Sequence, residues 1–356
     1  MLRAGVIAIA LLVSCTAPAP ATVVPTPSPT REPGTYAVTA LLDLSGTRGP
    51  RGDAQRSAMQ QWIDAQRTTP RLRLRIVDVA GSDAKLLIEL KRAADAGDTD
   101  AFVVGVPATI DDALASAIAL AKRPVLFTMP ITEPAGDAAR WIFGLAPTPD
   151  ALARALVDAL AVRSTAAVIV TNGTLASGRE ELALTATFHA DGRPMPFVLS
   201  AAPEVRDTFV QRSKPFFTGE GAAVFFTGSA TGYLDPQRIV VAAAIAPGFE
   251  FLSYLTDATD ASRLGEAAPA VRWPGLRRPT SSGLGTHAAT ATDALALVAA
   301  SADAAGDPER TRARIEGGTF AGIATTYVFS PTRHIGVDAR EIALLAWQNG
   351  RAVIAR

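Results

Sequence analysis

The chain is 356 residues long, 48% of them hydrophobic, and its 34 basic and 34 acidic residues cancel to a formal net charge of zero. A neutral chain without a basic stripe interleaved with aromatics is a poor candidate for nucleic-acid binding, and the length gives two lobes of ordinary domain size with ample core. One cysteine and three scattered histidines exclude a disulfide framework and leave no cluster of metal-ligand spacing.

Arg3 precedes an apolar run, Ala4 to Val13, far short of the roughly 20 residues that a membrane-spanning helix needs, so the segment reads as an export signal. Leu12-Val13-Ser14-Cys15 resembles the bacterial lipobox, which implies that residues 1–15 are a lipoprotein signal and that Cys15 is acylated. The alternative is an ordinary secretory signal cleaved near Ala17-Pro18-Ala19, with Cys15 discarded. Both readings export the protein and leave its mature part without a thiol. Two or more acyl chains on one cysteine hold a protein stably at a membrane, since each buried methylene contributes about 0.8 kcal/mol. Residues 16–35, with Pro18, Pro20, Pro25, Pro27, Pro29 and Pro33, read as an extended linker.

From Tyr36 onward short apolar runs alternate with longer amphipathic ones. A strand is expected over Tyr36 to Leu42, then a helix over Asp53 to Gln66 with Ala54, Ala58, Trp62 and Ala65 on one face. Arg71 to Asp78 alternates Leu72, Leu74 and Ile76 inward with Arg71, Arg73 and Arg75 outward, a half-exposed strand. Ala84 to Ala94 reads as helix, Ala101 to Val104 as buried strand, Ile110 to Ala121 as helix and Val125 to Thr128 as strand. Phe143 lies in a further short strand, and Pro149 opens a helix reaching Leu160. The series then restarts: strand Ala166 to Thr171, helix Ser177 to Phe188, strand Phe197 to Leu199, helix Val205 to Phe216, strand Ala222 to Phe226, helix Pro236 to Ala246, strand Phe249 to Ser253.

Glu266 to Ser282, rich in Pro, Gly and Arg, reads as a connection. Thr290 to Ala305 is an apolar helix, Pro308 to Glu316 a charged one, and Thr325 to Phe329 a strand. Ile342 to Trp347 and Arg351 to Ile354 flank an Asn349-Gly350 hairpin turn. Alternating strands and helices imply parallel sheets covered on both faces, and two such series imply two doubly wound lobes.

Four stretches, in order, resemble the periplasmic binding proteins of the branched-chain amino-acid type. They are "LLDLSGTRGPRGDAQRSAMQQWIDA", "LRLRIVDVAGSDAKLLIELKRAADAGDTDAFVVGVPA", "RPVLFTMPITEP" with "RWIFGLAPTPDALARAL", and the closing segment from Ala291 to Ile354 with its Asp-Ala helix, Phe-x-Gly turn and Gln-Asn-Gly hairpin. The resemblance spans nearly all of the chain after Tyr36. It implies an α/β type I periplasmic binding fold of two lobes joined by three crossings, with lobe 1 over residues 36–162 and 276–330 and lobe 2 over residues 163–275 and 331–356. It further implies a lipid-anchored, monomeric receptor that delivers a small polar ligand, an amino acid or related amide or carboxylate, to an ABC permease outside the cytoplasmic membrane. The alternative is a lipoprotein of the same fold acting as a sensor or as a regulator of an envelope protein.

Ligands of open α/β sheets bind at the carboxyl ends of the strands, beside helix N-termini. Ser45 and Arg48 lie in the first such loop, and Arg48 could take a carboxylate bidentately. Thr109 matches the family's carboxylate-binding hydroxyls and sits where it could also cap the helix from Ile110. Thr128 and Thr132 follow the next strand, Thr132 at a position where the family often has a ligand-binding Thr. In the second lobe the candidates are Asn172, Ser229 and Asp257, the last facing a ligand ammonium, with Asp260 competing for that role. A tyrosine typical of the family near Asn172 is absent.

Nothing in the chain reads as catalytic. There is no Gly-x-Ser-x-Gly elbow or phosphate-binding Gly-Lys loop, and His189, His287 and His334 read as surface or loop residues. No cofactor, metal or catalytic residue is expected. Asp111-Asp112 and Glu180-Glu181 fit first turns of helices, where negative charge is favourable. Arg51-Gly52-Asp53 spells an adhesion tripeptide but reads as turn and helix entry.

Overall fold

A computed structural model describes residues 34–46, 49–67, 71–160, 166–171, 175–200, 222–227, 249–253, 271–278 and 285–355. In chain order the first elements are β1 (Thr35–Leu42), α1 (Gly49–Ala65), β2 (Arg71–Asp78), α2 (Asp83–Asp95), β3 (Ala101–Gly105), α3 (Asp112–Ala121), β4 (Val125–Phe127) and β5 (Ile142–Gly144). They are followed by α4 (Pro149–Asp158), β6 (Ala166–Thr171), α5 (Leu175–Ala190), β7 (Phe197–Ser200), β8 (Ala222–Phe226), β9 (Phe249–Ser253) and β10 (Val271–Leu276). The chain closes with α6 (Thr286–Ser301), α7 (Pro308–Glu316), the short pair β11 (Thr319–Ala321) and β12 (Thr326–Val328), and the hairpin β13 (Ile342–Gln348) and β14 (Arg351–Ile354).

The first sheet is parallel, in the order β2-β1-β3-β4-β5. β3 and β4 are buried along their whole length, as the continuous apolar runs of a doubly covered sheet must be. One face packs against α1 and α6 through Val38, Met59, Leu295 and Val298. The other packs against α2 and α3 through Leu41, Leu86, Leu90 and Ile118. The second sheet has the order β14-β13-β10-β9-β8-β6-β7. Read from β7, its parallel part repeats the arrangement of the first sheet, with β13 and β14 added antiparallel. Asn349 and Gly350 take φ of 50° and 77° at the hairpin turn, the two left-handed positions that an Asn-Gly turn accommodates. Two doubly wound lobes are thus present, as the alternation implies.

Several boundaries differ from the sequence expectation. α1 starts at Gly49 and buries Gly52, Gln55, Ala58 and Met59, a face rotated away from Ala54 and Ala65. The cause is contact: a Cβ on Gly52 would lie 1.7 Å from the Asp43 carbonyl oxygen, so the glycine lets the helix lie directly on the first loop. α6 starts four residues before the expected Thr290, at Thr286. Val271–Leu276, expected as connection, is a strand. Its Pro274 lies beyond Val271 and Arg272, the residues that pair with β9 among the described residues, where a missing N–H costs no described ladder bond. The expected helices at 205–216 and 236–246 lie outside the described residues, as do the leader with Cys15 and most of the linker.

The lobe limits also move. α4, placed by the sequence reading at 149–160 within lobe 1, belongs to the second core: Leu152, Leu156 and Leu160 pack with Ile169, Leu184 and Ile342. Burying such side chains contributes about 1.5–3 kcal/mol each, and helical spacing alone does not say which sheet receives them. Residues 331–337, expected in lobe 2, stay with the first lobe, where Ile335 bridges Gly144 and Val337 joins the first core. Two crossings therefore fall at 145–148 and 338–341, and the third follows β10, its course to α6 lying largely outside the described residues. All three leave or enter at the carboxyl edges of the parallel strands, since the start of β13 pairs with the end of β10 through Ile342 and Leu276. That arrangement turns the carboxyl edges of the two sheets toward the shared crossings.

Candidate functional site

The first lobe's share of the site is built on the loops after β1 to β5. Asp78, at the end of β2, organises the first of them. Its Oδ1 accepts the N–H groups of Leu44 at 2.9 Å and Ala80 at 2.8 Å, and its Oδ2 accepts the Ser45 hydroxyl at 2.8 Å. Desolvation raises the carboxyl's pKa, but these bonds and the charge of Lys85 outweigh it and hold the group below its ordinary value. Asp43, buried, accepts the Gly81 N–H at 2.6 Å and ties the loop after β1 to the loop after β2. Ser45 is exposed at the rim of this staple, its hydroxyl proton engaged by Asp78.

Beneath the loops runs a buried polar chain. Gln55 on α1, fully buried, donates through Nε2 to the Gly105 carbonyl at 2.8 Å, and its Oε1 accepts the Thr128 hydroxyl at 2.6 Å. The Thr128 carbonyl in turn accepts the Thr290 hydroxyl of α6 at 3.1 Å. Thr128, a candidate ligand contact from sequence, is therefore fully buried, and its hydroxyl is directed into this chain. The chain fixes the ends of β3 and β4, where Thr109 and Thr132 are carried. Thr109 is partly exposed and does not cap α3: Asp111 does, its side chain accepting the Leu114 N–H at 2.8 Å. A carboxylate two residues on satisfied the donor that the threonine was expected to meet. Thr132 is exposed on the loop after β4, next to Glu133, which accepts the His334 N–H at 3.2 Å.

In the second lobe, hydroxyls play the corresponding part. Ser177 in the first turn of α5 lies 2.7 Å from the Thr171 hydroxyl and 2.6 Å from that of Thr227, joining the ends of β6 and β8. Two residues on, Arg179 is half-buried. Desolvation pushes its pKa below the usual arginine value, opposed by the carboxylates of Asp83, Glu180 and Asp111. Asp83 and Asp111 lie in the first lobe, at the N-termini of α2 and α3. Glu180, expected in a first turn, lies in the second turn of α5 and is buried. Arg48, Asn172, Ser229 and Asp257 lie outside the described residues.

The crossings are bound to one another. Gly144 and Gly336 exchange backbone bonds with the partner strand, Gly144 N–H to His334 O at 2.8 Å and Gly336 N–H to Gly144 O at 2.9 Å. The Arg277 N–H donates to Glu341 O at 3.1 Å. His334 is buried beside this junction, its ring nitrogens 3.1 Å from the Ile142 carbonyl and 3.2 Å from that of Pro331. His334 is thus a loop residue, as expected, though a buried one, whereas His287 is neither on a loop nor at the surface but on the covered face of α6. Arg51 and Gly52 are buried too, so of the adhesion tripeptide only Asp53 reaches the surface, where it pairs with Arg56.

The structure thus brings Ser45, Thr109 and Thr132 to one edge of the first lobe and withdraws Thr128 from it. Sequence reading missed Gln55, Asp78, Ser177 and Arg179. A polar residue on the covered face of α1 was the available signal for Gln55, and an acidic residue ending β2 the signal for Asp78. Arg179 gave none.

No family model matches the sequence, and no curated protein matches it. Solved structures do match in fold. An extracellular ligand-binding receptor from Rhodopseudomonas palustris HaA2 aligns with a TM-score of 0.70 at 14% identity, over 91% of this chain and 100% of its own. The branched-chain amino acid transporter substrate binding protein of Streptococcus pneumoniae, in complex with isoleucine, aligns with a TM-score of 0.70 at 13% identity, over 90% of this chain and 99% of its own. A solute binding protein of an R. palustris ABC transporter, in complex with benzoate, aligns with a TM-score of 0.71 at 16% identity, over 90% and 95%. The chain has the fold of these type I periplasmic binding proteins. These structural neighbours are a ligand-binding receptor and two substrate- or solute-binding proteins of transporters, and among the described residues no helix is long and apolar enough to cross a membrane.

Proposed function

We propose that the protein is an extracytoplasmic solute-binding receptor that closes its two lobes on a small carboxylate-bearing ligand and presents the closed form to an ABC permease. The observation that carries this reading is the placement of all three crossings at the carboxyl edges of two doubly wound sheets, which makes those edges the walls of one cleft about one bending point. Ligand contacts made by both walls favour the closed form, and closure is what a permease can detect. The neighbours' ligands, isoleucine and benzoate, share a carboxylate on a small apolar body. Thr109 and Thr132 offer hydroxyls for that group, Ser45 would join them by turning its proton from Asp78 to the ligand, and Arg48, Asn172, Ser229 and Asp257 are the further contacts proposed. Lipidation of Cys15 would hold the protein at the outer face of the membrane, with residues 16–35 as its tether.

Thermal unfolding of the refolded, ligand-stripped protein against isoleucine, benzoate, 4-hydroxybenzoate and urea tests the reading. A ligand at about 100 times its dissociation constant stabilises by about 2.7 kcal/mol, a shift of several degrees for lobes of this size. A shift with one or more carboxylates and none with urea is the expected result. No shift with any small solute, together with tight binding to an envelope protein, would replace the receptor reading with that of a regulator.

A further inference from the structure

We propose that the first lobe carries a second small-molecule site, a pocket toward the amino edge of its sheet that takes a small monocarboxylate between Arg73 and Arg75. It lies at the end of the strands opposite the cleft and does not rest on the receptor reading.

β1 and β2 run parallel with Ala37 opposite Arg73 and Thr39 opposite Arg75. By the two-residue period of a strand these four share a face with Leu41 and Val77, which pack against α2 and α3 nearer the carboxyl edge. A pocket of about 260 Å3 lies beyond that cover, lined by Ala37, Thr39, Arg73, Arg75 and, from the turn before β3, Asp98. Its volume falls just under the range of about 300–1,000 Å3 typical of sites for drug-sized ligands, which suits a short organic acid.

The lining is unbalanced in hydrogen bonds and in charge. Arg75 donates through Nη1 to Asp98 Oδ2 at 2.8 Å and through Nη2 to the Thr99 hydroxyl at 3.4 Å, while its Nε is buried with no acceptor among the described residues. Arg73, exposed, reaches the Asp98 carbonyl by a long bond of 3.5 Å. Next to the pocket, Asp100 accepts the Ala37 N–H at 2.7 Å and Arg123 donates to the Thr99 carbonyl at 3.2 Å. Three guanidiniums beside two carboxylates leave one positive charge, which a monoanion neutralises. A carboxylate suits the vacant donor because its two oxygens can accept together from the Nε–Nη2 edge of a guanidinium, in short charge-assisted bonds that Arg73 can reinforce. A dianion suits it less, since the Asp98 carboxylate shares the pocket. The simpler reading is an Arg75–Asp98 ion pair that closes the turn before β3. With side chains 40% and 23% exposed, such a pair stabilises little, and it accounts for neither the second arginine nor the unmade bond at Nε.

The test follows the Arg75 Nε–H signal of the protein by nuclear magnetic resonance, assigned through its loss in Arg75→Lys. Propionate is the probe, with propionamide and sodium chloride as controls. The expected result is a saturable downfield shift with propionate and none with either control. Arg73→Gln should weaken the propionate response roughly tenfold, the usual scale for one charge-assisted bond. Asp98→Asn, which removes the competing carboxylate, should tighten it roughly threefold to tenfold and admit inorganic phosphate as well. That sign separates a site from a structural ion pair, whose loss lowers stability and gains no ligand. Asp98→Asn also serves if Arg73→Gln fails to fold. A drift that chloride reproduces overturns the proposal, as does weaker propionate binding in Asp98→Asn. Equal saturation in the parent and in Arg73→Gln overturns it too, since that is the result of a carboxylate held only in the cleft, at the other end of the strand that carries Arg73.

Discussion

Substituting Asp293 should damage the first lobe more than most single changes. Asp293 is 1% exposed on α6, and its two oxygens accept the Ile323 N–H at 2.6 Å, the Ala324 N–H at 2.8 Å and the Tyr327 hydroxyl at 2.9 Å. The turn before β12 thus hangs from one carboxylate. It comes so close that a Cβ on Gly322 would lie 2.3 Å from Oδ2. Asp293→Ala leaves three donors without a partner in a site too closed for bulk water to repair. At about 1–3 kcal/mol for each buried donor, and with some relaxation, the loss should be about 3–6 kcal/mol. Asp293→Asn keeps one acceptor oxygen but turns an NH2 toward the remaining donors, so about 2–3 kcal/mol is expected. Urea unfolding followed by circular dichroism measures both, as a lower midpoint with unchanged slope.

The pH dependence supplies a second check. Burial raises the Asp293 carboxyl above its ordinary value, against the three hydrogen bonds and the charge of Arg278. A carboxyl whose folded pKa is raised favours folding most below its unfolded value, and that contribution fades as pH rises through the folded value. The parent's advantage over Asp293→Asn should therefore be larger near pH 5 than near pH 8. Loss of less than about 0.5 kcal/mol in Asp293→Ala would refute the reasoning, because surface substitutions commonly change stability by that much.

Gln55→Ala should cost about 1–3 kcal/mol by orphaning the Gly105 carbonyl and leaving the Thr128 hydroxyl only its long 3.4 Å bond to the Val104 carbonyl, and chemical denaturation should detect it; a neutral result would mean that water fills the site. Gly52→Ala should unfold or strongly destabilise the first lobe, since its methyl would meet backbone 1.7 Å away, whereas Gly178→Ala, with nothing within 4 Å in α5, should be neutral or gain up to about 1 kcal/mol in thermal melts. Asp78 is depressed in the folded state, so its contribution is fully present above the unfolded value near pH 4 and disappears as pH falls through the folded value. Asp78→Asn should accordingly lower stability at pH 7 by more than at pH 3, a difference that paired urea titrations can read.

The fold was legible because its signals are local. Period-two and fully apolar runs placed β2, β6, β8, β9 and β14 to the residue, and Pro149, Pro308 and Asn349-Gly350 marked helix starts and the hairpin turn. Local signals also located Ser45, Thr109 and Thr132 on loops at strand ends. Association between distant segments was not legible. The apolar stripe of α4 fits either sheet, and only packing against Ile169 and Ile342 assigns it to the second. Val271–Leu276 carries Pro and Gly, which mark a break locally but are accepted once Val271, Trp273 and Leu276 are buried and β13 pairs alongside. Thr128 and Gln55, joined through a buried hydrogen bond, are 73 residues apart. The sequence by itself determined the alternation of elements and the chemistry carried at the strand ends. Tertiary structure alone decided which hydroxyls face the cleft and which are consumed within the core, because a hydrogen bond's energy depends on burial and on partners that chain order does not reveal.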